Sequence, residues 1–125
     1  MENSYLFVYG TLKRGFGNNP LIKHTEFIGE AITIDRFDLS GIGFPCAYPN
    51  RKGKLLQGEI YNLEVKDFIT TDSLEGNGSL YQRELREFIC DGIILEAWIY
   101  IIIEPFTKPY KVDSDVINWS YFLTT

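Results

Sequence analysis

The sequence predicts an α+β fold, with five or six strands in a mixed sheet that can curl into a small barrel and one or two helices packed against it. Three observations support this reading. Short apolar runs rich in β-branched and aromatic residues recur along the chain. A two-residue Asp91-Gly92 turn separates two of these runs. Only residues 64–75 have reasonable helical length, so strands and helices do not alternate strictly. At 125 residues the chain fits one domain over 1–125, with 104–125 as a C-terminal tail packed on it.

Taken in order, residues 5–9 (YLFVY) read as a buried strand ended by Gly10, which feeds directly into a loop. That loop, 10–19, carries Gly15, Gly17 and paired Asn before Pro20, whose fixed φ suits the first turn of a short helix. Residues 27–34 and 56–61 mix apolar and polar positions as half-buried strands do, and the Gly/Pro-rich stretch 41–49 is expected to link strands between them. The segment 64–75 (EVKDFITTDSLE) is expected to be helical, to offer Phe68, Ile69 and Leu74 to the core, and to end at Gly76 in the left-handed conformation. Asp-Gly between 88–90 and 93–95 predicts a type I′ hairpin. Its second arm continues into 97–103 (AWIYIII), apolar on both faces and so a central strand. Trp119, Tyr121 and Phe122 are the residues expected to pack the tail on the body.

Twelve Lys and Arg against seventeen Asp and Glu give a net charge of -5, which offers no field for phosphate backbones or anionic membranes. Nucleic-acid and membrane partners are therefore not expected. Arg51, Lys52 and Lys54 surround Gly53 as a solvated turn does. The start Met1-Glu2-Asn3-Ser4 lacks a secretory pattern, and the longest apolar run is too short to span a bilayer. Cys46 and Cys90 suit free thiols in a reducing compartment. The expectation is a soluble cytoplasmic protein.

Much chemistry is disfavoured by what the chain lacks. The loop after the first strand has neither the Lys-Ser/Thr of a P-loop nor the GxGxxG spacing of a dinucleotide site. His24 is the only histidine, with no HExxH or Cys-His cluster beside it, so no metal is expected, and there is no GxSxG elbow. Carboxylates and backbone donors remain. Glu75 falls at the last helical position, where the macrodipole is negative, with Asp72 three residues earlier on roughly the same face. Both effects would raise the Glu75 pKa and suit it to acid/base work near neutrality, although a carboxylate there also fits a solvated helix end. At Tyr9-Gly10-Thr11-Leu12, glycine permits a conformation that turns successive N–H groups towards one point, as an anion site needs. It also permits an ordinary turn.

Four short motifs follow one another in the sequence: Val8-Tyr9-Gly10-Thr11-Leu12-Lys13-Arg14-Gly15, Gly58-Glu59-Ile60-Tyr61, Leu74-Glu75-Gly76 and Leu80-Tyr81-Gln82-Arg83. On these residues the chain resembles the γ-glutamylcyclotransferase-like family, and looks most like its γ-glutamylamine cyclotransferase branch. The resemblance implies a small mixed β-barrel with flanking helices. It also implies a cavity in which Glu75 is the catalytic acid/base, Tyr9, Gly10, Thr11 and Leu12 line the substrate site, and Tyr81 supplies a wall hydroxyl that orients the substrate. The implied reaction closes a γ-glutamyl group on its own amine and releases 5-oxoproline and a free amine, with no cofactor. The one partner it implies is a small-molecule γ-glutamyl substrate. A non-catalytic module that keeps the cavity, or an interaction protein using the aromatic tail, are the competing classes.

Overall fold

A computed structural model describes residues 4–41 and 43–122, with the side chains of Tyr121 and Phe122 left aside. Eight strands and one α-helix follow in chain order: β1 (Ser4–Val8), β2 (Glu26–Thr33), β3 (Phe37–Ser40), β4 (Cys46–Pro49), β5 (Leu55–Leu63), α1 (Val65–Glu75), β6 (Tyr81–Cys90), β7 (Ile93–Ile102) and β8 (Val116–Ile117). Single 3-10 turns occur at Asn19–Leu21, just where Pro20 sets φ, and at Trp119–Phe122.

Five strands close on themselves in the order β1-β7-β6-β2-β5, and β5 pairs back with β1. Every pairing in the ring is antiparallel except β1 with β7, so the barrel is mixed. Closure removes the exposed edges that a flat sheet would leave open. The β6–β7 hairpin turns through Asp91 and Gly92, both at positive φ (51° and 77°), as the Asp-Gly pair predicts.

Alternation along each strand divides the core into two parts. Phe7, Ile60, Phe88, Ile99 and Ile101 belong to one cluster, which fills the barrel, with the Phe7 and Phe88 rings stacked at 4.4 Å. Leu6, Val8, Leu63, Tyr100 and Ile102 point the other way and meet Phe68 of α1. β7 is thus buried on both faces over its second half, which explains its unbroken apolar run. Gly58 is required at the barrel wall, because a Cβ there would lie 2.3 Å from the Val8 carbonyl oxygen and 2.7 Å from the Phe7 ring.

The structure corrects the expected helix face and the expected link. Of Phe68, Ile69 and Leu74 only Phe68 is buried, and Asp67 and Thr71 complete the inner face. Asp67 is tolerated there because it accepts the Glu64 amide N–H at 3.0 Å in a capping box and lies 2.8 Å from His24 Nε2. The stretch 41–49 is not only a link. Residues 46–49 pair with β3 as a two-stranded hairpin, and a strand of four residues ending in proline gives too little period for the sequence to reveal it.

The tail returns to the barrel. β8 adds in parallel to the start of β5 at Leu55 and Leu56, and Trp119 is buried against Phe16 with ring centroids 5.5 Å apart. The packing expected of Tyr121 and Phe122 lies outside the described residues. No helix among the described residues is long and apolar enough to cross a membrane.

Candidate active site

The end of β1, the C-terminus of α1, the start of β6 and the β3–β4 loop meet around one cavity of about 370 Å³, within the range of small-molecule sites. Glu75 enters it as the last residue of α1, fixed there by Gly76, which leaves the helix in the left-handed conformation at φ 61°. From the opposite strand end come Tyr9, Gly10, Thr11 and Leu12. Tyr81 completes the wall, so all six residues expected at the site are brought to one cavity.

The Glu75 carboxyl is half-buried and has no hydrogen-bond or ion-pair partner among the described residues. Burial among apolar side chains pushes its pKa up to about 7. The sequence reading assigned part of this rise to Asp72, and the structure corrects that cause. Asp72 turns away into a bidentate pair with Arg83 (2.9 and 3.1 Å) and accepts the Tyr100 hydroxyl at 2.5 Å. Its charge is spent on that guanidinium.

Three consecutive amide N–H groups, those of Gly10, Thr11 and Leu12, have no acceptor among the described residues. Successive unpaired donors on a cavity wall make a place for an anion. Gly10 is needed for a reason other than positive φ. A Cβ there would meet Pro45 Cγ at 2.4 Å and Cδ at 2.7 Å, so glycine lets the β3–β4 loop close over the site.

The tyrosines serve as wall and brace. The Tyr81 hydroxyl donates to the Pro45 carbonyl at 2.7 Å and lies 3.4 Å from Cys46 Sγ. Its one proton therefore holds the β3–β4 loop, while its side chain lines the cavity. The Tyr9 hydroxyl donates to the Tyr100 carbonyl at 2.6 Å and accepts the Ala47 N–H at 3.3 Å. Burial raises the pKa of Tyr9, Tyr81, Tyr100 and Cys46 alike, so these groups stay protonated near neutrality. Glu75 is left as the group in the cavity able to exchange a proton at that pH.

Sequence reasoning missed the support of the amide loop. Glu59, buried on β5, accepts the Arg14 backbone N–H at 2.9 Å, the Arg14 Nε–H at 3.2 Å and the Tyr61 hydroxyl at 3.0 Å. Asn19 Nδ2 donates to the Leu12 carbonyl at 2.9 Å, and Asn18 Nδ2 donates to Thr11 Oγ1 at 2.9 Å. The one charge in an otherwise uncharged strand was the signal for Glu59. Pro45 and Phe44 gave no such signal, because only the fold carries their loop to the cavity.

Fold and site together define a small closed barrel that presents one unpaired carboxyl and a row of free amides to a common cavity. The profile of the family described as "Gamma-glutamyl cyclotransferase, AIG2-like" matches residues 6–120, and the chain belongs to this family. A protein of Methanocaldococcus jannaschii, provisionally named a γ-glutamylcyclotransferase, is 35% identical over 102 residues, covering 80% of this chain and 85% of its own. A γ-glutamylcyclotransferase family protein of Escherichia coli is 28% identical over 101 residues, covering 80% and 83%. The crystal structure of an AIG2-like protein from Mus musculus superposes with a TM-score of 0.77 at 27% identity, over 88% of this chain and 87% of that one.

Proposed function

We propose that this protein is a cyclotransferase that releases 5-oxoproline and a free amine from a γ-glutamyl amine or peptide, with Glu75 as general acid and base. The observation that carries this reading is the pairing of an unpartnered Glu75 carboxyl, its pKa raised to about 7, with three unpaired amides in one cavity. Family membership supports the same reaction class.

Ionised Glu75 accepts a proton from the substrate's α-ammonium. The freed amine attacks the γ-carbonyl carbon of the same molecule, and a five-membered ring forms through a tetrahedral oxyanion. Protonated Glu75 gives its proton to the leaving nitrogen as the oxyanion collapses and the bond to that nitrogen breaks, and the re-ionised Glu75 then takes the second proton from the ring nitrogen and passes it to the departing amine, which leaves as an ammonium. Proton and charge balance over the cycle, and no water is consumed. Holding nucleophile and electrophile of one molecule in the bent conformer supplies up to about 7–11 kcal/mol of the barrier in well-oriented cases. The Gly10, Thr11 and Leu12 amides bind an anion of the reacting molecule, its α-carboxylate or the oxyanion, and one oxyanion donor is typically worth about 2.7–4 kcal/mol.

The test is mass-spectrometric detection of 5-oxoproline after incubating wild type and Glu75→Gln with γ-glutamyl-ε-lysine, γ-glutamyl dipeptides and glutathione. Wild type is expected to form product and Glu75→Gln to lose at least about a hundredfold in rate, since the amide keeps the shape but cannot cycle a proton. Activity of the variant above a tenth of wild type would remove Glu75 from this role. An analogue lacking the α-carboxylate separates the two duties of the amides, through loss of binding if they hold the carboxylate.

A further inference from the structure

Besides Glu75, the polar side chains that line the cavity are Tyr9, Thr11, Asn18, Tyr81 and Tyr100. Tyr9, Tyr81 and Tyr100 each spend their one proton on the protein itself, on the Tyr100 carbonyl, the Pro45 carbonyl and the Asp72 carboxylate in turn. Thr11 differs. Its Oγ1 accepts a hydrogen bond from Asn18 Nδ2 at 2.9 Å, and its own proton has no acceptor among the described residues. A hydroxyl carries one proton and two lone pairs, so a donor seated on a lone pair leaves the proton to point elsewhere. Asn18 also reaches Thr11 through the backbone, its N–H donating to the Thr11 carbonyl at 3.0 Å. That backbone bond holds the loop whatever side chain stands at position 18, and the Asn18 amide group is left with the hydroxyl alone.

We infer that Asn18 is a positioning residue. By occupying a lone pair of Thr11 Oγ1 it turns the hydroxyl proton into the cavity, where the Thr11 side chain joins the amides of Gly10, Thr11 and Leu12 as a fourth donor to the anion they hold. The inference rests on the cyclotransferase reading of the cavity and adds to it one side-chain donor and the residue that aims it. A donor aimed before the ligand arrives needs no reordering on binding. Its bond to an anion is charge-assisted, and so stronger than one between neutral groups. The residue type fits the task, because an uncharged amide supplies an N–H to Oγ1 without competing for the anion. A carboxylate at the same place would accept the Thr11 proton and turn it away from the cavity.

The experiment measures kcat/KM for 5-oxoproline release from γ-glutamyl-ε-lysine, γ-glutamylglycine and glutathione in wild type, Thr11→Val, Thr11→Ser, Asn18→Leu and the double variant of Thr11→Val with Asn18→Leu. Thr11→Val is expected to lose about tenfold or more, Asn18→Leu about threefold to tenfold, and the double variant no more than Thr11→Val alone, because Asn18 acts through the Thr11 hydroxyl. Thr11→Ser keeps the donor and should stay within about threefold of wild type. Hydrogen exchange separates aiming from bracing. The amides of Lys13, Phe16 and Asn18 should exchange alike in wild type and Asn18→Leu, since their acceptors are the Gly10, Lys13 and Thr11 carbonyls. Losses that multiply in the double variant, an Asn18→Leu as active as wild type, or loop exchange quickened by Asn18→Leu overturns the inference and leaves the cyclotransferase reading standing. Absence of 5-oxoproline from wild type with all three substrates overturns both.

Discussion

Glu75 is kept as a half-buried carboxyl whose negative form nothing in the described structure neutralises, and the protein bears a cost for this at neutral pH. Its pKa stands at about 7 in the folded state against an ordinary value of 4.5. Between those values the folded chain holds a proton that the unfolded chain has released. Its favourable contribution is therefore fully present below about 4.5 and is lost as pH rises through about 7. The cost at pH 8 is on the order of 3 kcal/mol, because each tenfold weakening of the carboxyl's acidity is worth about 1.4 kcal/mol and the rise from 4.5 to about 7 spans two to three such steps. Glu75→Gln is accordingly expected to be more stable than wild type by about that amount at pH 8 and to match it at pH 4, as denaturant titrations at the two pH values would measure. A gain that is the same at both would mean the carboxyl is not desolvated. The same titration governs turnover. Because the ionised form starts the reaction, kcat/KM should fall below a midpoint near 7.

At the scale of elements, the short helix α1 is tied at both ends, and its ties explain how an unsupported carboxyl holds its place. The Glu64/Asp67 capping box and His24 fix the first turn. Burial raises the pKa of Asp67, but the Glu64 N–H and His24 outweigh it and hold the carboxyl below its usual range. Near the other end, Arg83 of β6 grips Asp72 with two nitrogens while its guanidinium lies over Phe68 at 4.4 Å and Trp98 at 4.5 Å. Tyr100 of β7 adds its hydroxyl to the same carboxylate. Asp72→Asn removes the ion pair and should cost about 1–3 kcal/mol, measured as a lower melting temperature. The midpoint of the pH–rate profile should stay near 7, since burial alone raises Glu75. A midpoint displaced towards acid would show instead that the two carboxylates interact.

For the whole molecule, what the sequence revealed depended on how local the physics was. The first strand, the Asp91-Gly92 hairpin, the two-faced run of β7 and the Gly76 cap are each decided by neighbouring residues, and each stands where expected. The β3–β4 hairpin, the Asp72–Arg83 pair and the closure of Pro45 over Gly10 depend on residues far apart in the chain, so no local period records them. The candidate site was legible through motif residues, while its walls and supports were not. The returning tail shows this dependence most fully. Lys13 Nζ, buried beside the amide loop, donates to Asn118 Oδ1 at 2.8 Å, and Phe16 meets Trp119, so residues 118 and 119 clamp the loop that begins at Gly10. Burial depresses the Lys13 pKa, so the lysine relies on the clamp for its hydrogen bond. Trp119→Ala removes a fully packed indole and should cost about 3–5 kcal/mol. Beyond that global loss, exchange at the hydrogen-bonded amides of the loop, those of Lys13, Phe16 and Asn18, should quicken more than in the β6–β7 hairpin under native conditions, and KM should rise more than kcat falls, because the loop must be ordered before it can hold an anion. If exchange instead quickens evenly over barrel and loop, and KM is unchanged, the tail stabilises the barrel without shaping the site.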